Sequence, residues 1–314
     1  MLTHIHGTET RFQRTLKSPI ECVGVGLHSG VRVRLRLAPA GPNTGIVFVR
    51  TDLPSAVASI PAAWNFVSDT RLCTVISNDA GSSVGTIEHL MAALRGCGVD
   101  NARIEVSGAE VPIMDGSSDP FVFLIECAGT KAQEVPRRFV KVLKTVMVGE
   151  GDRSATLRPS SAMKFSFDID FASAAIARQE SHIDLDEFAF KTDLARARTF
   201  GFLHEVEQLR RAGLARGGSL DNAVVIDGDR VVNAGGLRFA DEFVRHKILD
   251  SIGDLYLAGA PIIGHFHGSR SGHALNNQLL RALFADRTAW TWVHSALPQV
   301  QENAIADMGV EAVA

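Results

Sequence analysis

The sequence predicts an α+β fold built from two similar halves. Three observations carry that reading. Several short segments, "VRVRLRLAPA" and "KFSFDIDF" among them, alternate apolar and polar residues with the period of two expected of a half-buried strand. Apart from an insertion in the second, each half also holds two segments with helical spacing, the first of each pair beginning near a histidine. Between the halves lies "GTKAQEVPRR", a polar stretch with a proline near residues 130 to 137.

The elements follow in order. "GVGLHSG" is a Gly-rich turn ahead of the strands "VRVRLRLAPA" and "GIVFVR". In "TIEHLMAALRGCG", Leu90, Ala93 and Leu94 give a helix, with Thr86 as its expected cap and Gly96 or Gly98 as its stop. "NARIEVSG" returns to strand, and "DPFVFLIECAG" is a helix with Asp119 as cap and Pro120 in its first turn. The second half repeats the rhythm with strands in "RFVKVLKTVMVGEG", "SATLRPS" and "KFSFDIDF". An insertion follows, a helix "LHEVEQLRRAGLARGG" and a hairpin "NAVVIDGDRVV" with an Asp-Gly turn. The helix "FVRHKILDSIGD", the strand "PIIGHFHG" and the helix "ALNNQLLRALFAD" complete it. The repeated rhythm suggests an internal duplication, with domains expected at 1–130 and 131–300 and a frayed tail at 301–314.

Bulk properties narrow the function classes. A chain of 314 residues, 46% apolar and 21% charged, has room for two domains with real cores. A formal net charge of -3 gives no reason to expect nucleic acid as a partner. Cys22, Cys73, Cys97 and Cys127 are far apart and form no CxxC pair, so buried free thiols are expected rather than a disulfide or zinc scaffold. The N-terminal "MLTHIHGTETRFQRTLK" lacks an apolar h-region, and no run approaches the roughly 18 apolar residues that cross a bilayer. The expectation is a soluble cytoplasmic protein without stable membrane insertion.

The chemistry starts from a polar stripe. His246, Asp250 and Asp254 recur every four residues, so they share one helix face, each about 6 Å of rise from the next. An imidazole and a carboxylate at that spacing can grip one divalent metal from a single rigid element. His89 is the best third ligand, and Glu88 beside it could contact a bound water. His273 follows a glycine and opens a helix, where an imidazole poised near neutral pH suits a general acid, with Asp254 to hold it charged. Thr199 in "RARTFGF" supplies a hydroxyl for a developing oxyanion. Taken singly, each has a structural reading: a surface His-Asp pair, a first-turn acid, a helix N-terminal residue. His265 and His267 share a strand face and resemble a ligand pair, but no acid stands beside them in sequence; His4 and His6 lie near the terminus.

Together, and in this order, "GVGLHSG", "SDTRLCT", "TIEHLMAAL", "PIMDGSSDPF", "ARTFGF", "SLDNAVV", "RHKILDSIGDL" and "SGHALNN" closely resemble the UDP-3-O-acyl-N-acetylglucosamine deacetylases of lipid A synthesis, over about residues 11 to 297. The resemblance implies two similar two-layer α/β sandwich domains whose helices face each other, with the metal at the seam. It implies that His89, His246 and Asp250 bind Zn2+, that Glu88 is the general base, and that His273 is the general acid with Asp254 as its charged partner. Thr199 would steady the oxyanion, Lys247 contact the diphosphate region and Phe200 lie beside the sugar; His28 belongs near the site. The substrate implied is a UDP-linked acylated glucosamine, and the family is usually monomeric. An insert within 200 to 237 would form an apolar acyl passage, with Phe202, Leu203, Leu209 and Leu214 available to line it. Arg210 and Arg211 on the same helix face either solvent or anionic lipid headgroups, and a solvated face is the plainer expectation.

Two points stay open. Fe2+ fits the same His₂-carboxylate set as Zn2+. Where many relatives carry a His-Pro pair after "FSFDIDF", this chain has Ser173 and Ala174, which leaves room for a shifted amide substrate. A binding-only nucleotide-sugar sensor is a further alternative, but pure binding needs neither Glu88 nor His273.

Overall fold

The computed structural model describes residues 11–295. The expected tail at 301–314, and His4 and His6, lie outside the described residues.

Two five-stranded sheets organise the chain. In the first, Ile20–Val25, Arg32–Pro39, Ala102–Val106, Ile46–Arg50 and Ser59–Pro61 lie side by side in that order. In the second, the order is Val146–Glu150, Arg153–Arg158, His265–Ser269, Lys164–Asp170 and Arg178–Asp184. Each sheet has one parallel pair, between its central strand and the third strand in sequence; the other neighbours are antiparallel. A parallel neighbour needs a crossover long enough for a helix. In the first half that crossover carries α1 (Glu88–Gly96), and α2 (Asp119–Ala128) follows the central strand. In the second it carries α3 (Leu203–Arg211), on the insertion, and α4 (Glu242–Tyr256), with α5 (His273–Ala285) following.

Strand alternation sets the layers. Val33, Leu35 and Leu37 are buried while Arg32 and Arg34 are exposed, and Phe165, Phe167 and Ile169 repeat the pattern in the second sheet. Helix α1 is buried along its whole length, and α4 along all of its length except Arg245 and Lys247. These two helices pack on each other, and Gly253 is where they touch. A Cβ there would lie 2.0 Å from the Glu88 carbonyl oxygen, so only glycine lets the backbones approach.

Several local expectations are corrected. Thr86 does not cap α1; it sits in the left-handed region at φ 55 and the helix starts after Ile87 with no side-chain cap. Asp119 is the first residue inside α2, and Ser118 precedes it. The polar stretch after 130, where the sequence predicts no element, forms a strand, Thr130–Pro136, antiparallel to Phe12–Leu16. "PIIGHFHG" is two strands, Ile262–Ile263 and His265–Ser269, interrupted at Gly264, where a Cβ would lie 2.8 Å from Val142 Cγ2. The cysteines are free, but only Cys73 and Cys97 are buried and Cys127 is exposed. Among the described residues no helix is long and apolar enough to cross a membrane.

Candidate metal-centred active site

The polar stripe lies inside the molecule. Helix α4 holds His246, Asp250 and Asp254 buried, facing α1, whose first residues are Glu88 and His89. Just ahead, the left-handed Thr86 turns the chain; its hydroxyl donates to Glu110 Oε1 at 3.1 Å. A β-branched residue in that region is strained, and surrounding structure must hold it there. Glu110 also accepts from the His28 amide and from both the amide and hydroxyl of Ser29, tying the Gly-rich turn to the start of α1.

His89, His246 and Asp250 each present a ligand atom within 4.8 Å of the others. His246 Nε2 lies 3.3 Å and His89 Nε2 3.6 Å from Asp250 Oδ1. The Ala197 carbonyl sits 3.0 Å from His246 Nδ1 and can only accept, so Nδ1 carries the proton and Nε2 keeps its lone pair. Burial pulls the His246 pKa down to about 4, so the ring is neutral at ordinary pH, as a metal ligand must be. Burial opposes the charge on Asp250, yet His246 and Lys247 hold that carboxyl well below its ordinary value. Asp250 Oδ1 and His89 Nδ1 are buried without hydrogen-bond partners. An anionic oxygen left without a hydrogen bond is costly in a dry interior and is satisfied by a cation. The donor set therefore fits a divalent metal.

A second set faces the first. Asp254 Oδ2 lies 2.8 Å from His273 Nδ1, and His273 Nε2 lies 3.8 Å from Glu88 Oε1. Burial alone would lower the His273 pKa, but the Asp254 charge and hydrogen bond outweigh it and raise it to about 9. Burial raises the Glu88 pKa, partly offset by His273 and His89. One carboxyl and one imidazolium thus sit at the metal set with proton affinities moved toward neutrality and above it.

The remaining expected residues surround this centre. Thr199 is fixed through its backbone, donating to Gly116 O and accepting from Val224 N–H, each at 2.8 Å, and it lines a cavity of about 330 Å³. Phe200 lines the same cavity and stands edge-on to His246, with centroids 6.4 Å apart. Lys247 Nζ is 3.2 Å from Asp250 Oδ2. His28 lines both this cavity and a neighbouring one of about 670 Å³, where the two spaces share only it and Leu72. Leu203, Leu209 and Arg210 face the smaller cavity, whereas Leu214 faces the larger one and Phe202 packs on Phe171 at 6.0 Å. Arg211 is exposed, 3.9 Å from Glu207. The Ser173–Ala174 pair binds the hairpin turn, Ser173 Oγ donating to Gly228 O at 2.6 Å and the Ala174 amide to Asp229 Oδ1 at 2.7 Å.

Sequence reasoning missed three residues. Thr74, in the quoted "SDTRLCT", binds both Glu88 and Asp254. Asn276 donates to Asp254 Oδ2 at 2.9 Å; its place three residues after His273, on the same face of α5, is a signal that could have found it. Glu110 had no spacing to mark it.

A buried two-histidine, one-carboxylate set, with a carboxyl and a paired imidazole within reach, defines the hydrolytic metalloenzyme class. Within that class, the chain belongs to the UDP-3-O-acyl-N-acetylglucosamine deacetylase family. The family model described as "UDP-3-O-acyl N-acetylglycosamine deacetylase" matches residues 13–285. A protein of that name from Shewanella oneidensis is 53% identical over 284 residues, 90% of this chain and 92% of the relative. One from Phenylobacterium zucineum is 54% identical over 279 residues, 89% and 95% of the two chains.

Proposed function

We propose that the protein removes the acetyl group of UDP-3-O-(3-hydroxyacyl)-N-acetylglucosamine, giving the free amine and acetate, as a zinc-dependent monomer. The observation that carries this reading is the pairing of the metal set with Glu88 and the His273–Asp254 pair across the α1–α4 contact.

His89, His246 and Asp250 hold the metal, which when bound supplies Lewis-acid polarisation of the amide carbonyl and lowers the pKa of a water to about 7. Glu88 takes the proton of the attacking water; burial, which raises its proton affinity, suits it to that task. Thr199 offers its hydroxyl to the oxyanion. His273, kept cationic by Asp254, donates the Nε2 proton to the departing nitrogen, so the leaving group departs as a neutral amine. In this reading Lys247 contacts the diphosphate region and Phe200 lies beside the sugar. The 330 Å³ cavity, with Leu203 and Leu209 in its wall, takes the acyl chain. Fe2+ satisfies the same ligands, so the resident metal is a matter for elemental analysis.

The test is acetate release from the acylated UDP-sugar before chelation, after it, and after zinc is restored. Release that vanishes and returns supports the reading. A folded, metal-loaded sample that releases nothing from this substrate overturns it. The non-acylated UDP-sugar serves as the control, because occupancy of the apolar cavity should favour the acylated form by at least tenfold.

A further inference from the structure

We infer that Thr74 is a positioning residue that aligns the proton-accepting and proton-donating groups with each other. This rests on the roles proposed for Glu88 and His273.

Thr74 is buried and belongs to neither principal sheet. It immediately precedes Val75–Ser77, a strand of the small sheet formed with Val67–Asp69 and Ser83–Val84. Its amide donates to Glu88 Oε2 at 3.0 Å, and its hydroxyl donates to Asp254 Oδ1 at 2.6 Å. One residue thus binds the carboxyl that takes a proton and the carboxylate that orients the imidazole giving one. The consequences are geometric. With Oε2 held, Glu88 keeps Oε1 directed at His273 Nε2, 3.8 Å away. With Oδ1 held by Thr74 and Oδ2 by Asn276, the Asp254 plane is fixed from both sides and its remaining bond aims at His273 Nδ1. A carboxylate oxygen without that donor would be buried and unsatisfied, free to turn toward another partner.

The segment that carries Thr74 also faces the open space. Asp69, Arg71, Leu72 and Cys73 line the 670 Å³ cavity, and Leu72 lies in the left-handed region at φ 69. A chain turn forced into that region at the cavity wall fixes the direction in which the next two residues enter the site. Thr74 therefore joins the cavity wall to the proton-transfer pair through adjacent backbone.

The experiment compares Thr74→Val, which keeps the shape and deletes the hydroxyl donor, with Thr74→Ser, which keeps the donor. Both are measured as purified, zinc-loaded full chains, beside Glu88→Gln and His273→Ala. The expected result is a fall in kcat of about tenfold or more for Thr74→Val, with KM and bound zinc within twofold of the parent. Thr74→Ser should recover kcat to within about threefold. In a His273→Ala background Thr74→Val should cost clearly less than it does alone, because the group it orients is gone. A Thr74→Val enzyme with unchanged kcat overturns the inference, as does a loss that Thr74→Ser fails to recover or that follows loss of zinc. Should Thr74→Val not fold, Thr74→Ala deletes the same donor without placing a methyl group against the carboxylate, and is judged by the same outcomes. If Glu88→Gln and His273→Ala are themselves fully active, the proposed roles fail; if they are crippled and Thr74→Val is not, only the positioning role fails.

Discussion

The two sheets share strand order and strand directions, yet the helices they carry to the site differ. Helix α1 spans nine residues, is buried throughout, and gives its chemistry from its first turn, as Glu88 and His89. Helix α4 spans fifteen residues and gives a stripe, with His246, Asp250 and Asp254 one turn apart. We infer from the matching topology that the chain is a duplication, divided near 130 into an N-terminal unit and a C-terminal one that carries the insertion at 200–237. The difference teaches how such a site divides labour. A stripe on a long helix fixes spacing by helix geometry alone, so two of the three candidate ligands and the carboxylate that meets His273 come from one element. The short helix must be aimed, and strain at Thr86, its link to Glu110 and the backbone contact at Gly253 do the aiming.

That contrast can be broken first on the long helix. Asp250→Ala should remove the metal and lower turnover by roughly 10³-fold or more. Elemental analysis and acetate release should fall together, and a variant that keeps both excludes Asp250 as a ligand. Glu88→Gln strikes the short helix and should behave differently. We expect a loss of about 10²- to 10⁴-fold with the metal retained, since an amide cannot take the proton. Metal lost alongside activity would make Glu88 a ligand instead of a base.

The acid arm sharpens the comparison through pH. The His273 pKa is raised to about 9, so the imidazolium is fully present below that value and activity should decline as pH rises through it. Asp254→Asn removes the charge that opposes burial, so the basic limb should move down toward or below the ordinary 6.5 and turnover at neutral pH should fall about tenfold or more. A limb that stays in place in Asp254→Asn would assign it to another group. A smaller, structural effect is expected where the helices meet. Gly253→Ala puts a methyl group into the Glu88 backbone, and overpacking of this kind costs about 3 kcal/mol, read as a lower denaturant midpoint. An unchanged midpoint would mean the helices separate easily.

Most of the centre was legible because its spacing is local. His246, Asp250 and Asp254 are marked by helical periodicity, and Glu88 and His89 by their place ahead of an apolar run. What was not legible depends on distant chain. Thr74 meets a residue 180 positions away, and nothing near "LCT" announces it. The strands Thr130–Pro136 and Arg178–Asp184 were missed for a related reason. Their backbone bonds to Phe12–Leu16 and Lys164–Asp170 hold them in place, while their exposed side chains carry little apolar signal. The left-handed Thr86 was misread as a cap because a threonine ahead of a helix usually is one.

The smallest expected effect lies at Ser173 and Ala174, where the sequence resemblance leads to the expectation of a His-Pro pair. The structure seats both on the turn of the hairpin formed by Val224–Asp227 and Arg230–Val231, through bonds to Gly228 and Asp229. Their link to the site is indirect: Phe171, two residues earlier, meets the Phe200 ring with centroids 5.9 Å apart. An exposed hydroxyl bonded to a carbonyl contributes about 0.5 to 1 kcal/mol at most, because water replaces the lost partner. Ser173→Ala should therefore leave kcat/KM on the acylated UDP-sugar within about twofold and shift stability by less than about 1 kcal/mol. A drop of tenfold in kcat/KM without loss of stability would instead put this loop in contact with the substrate. The departure would then alter recognition at the second half, while the metal set at the helix contact stayed intact.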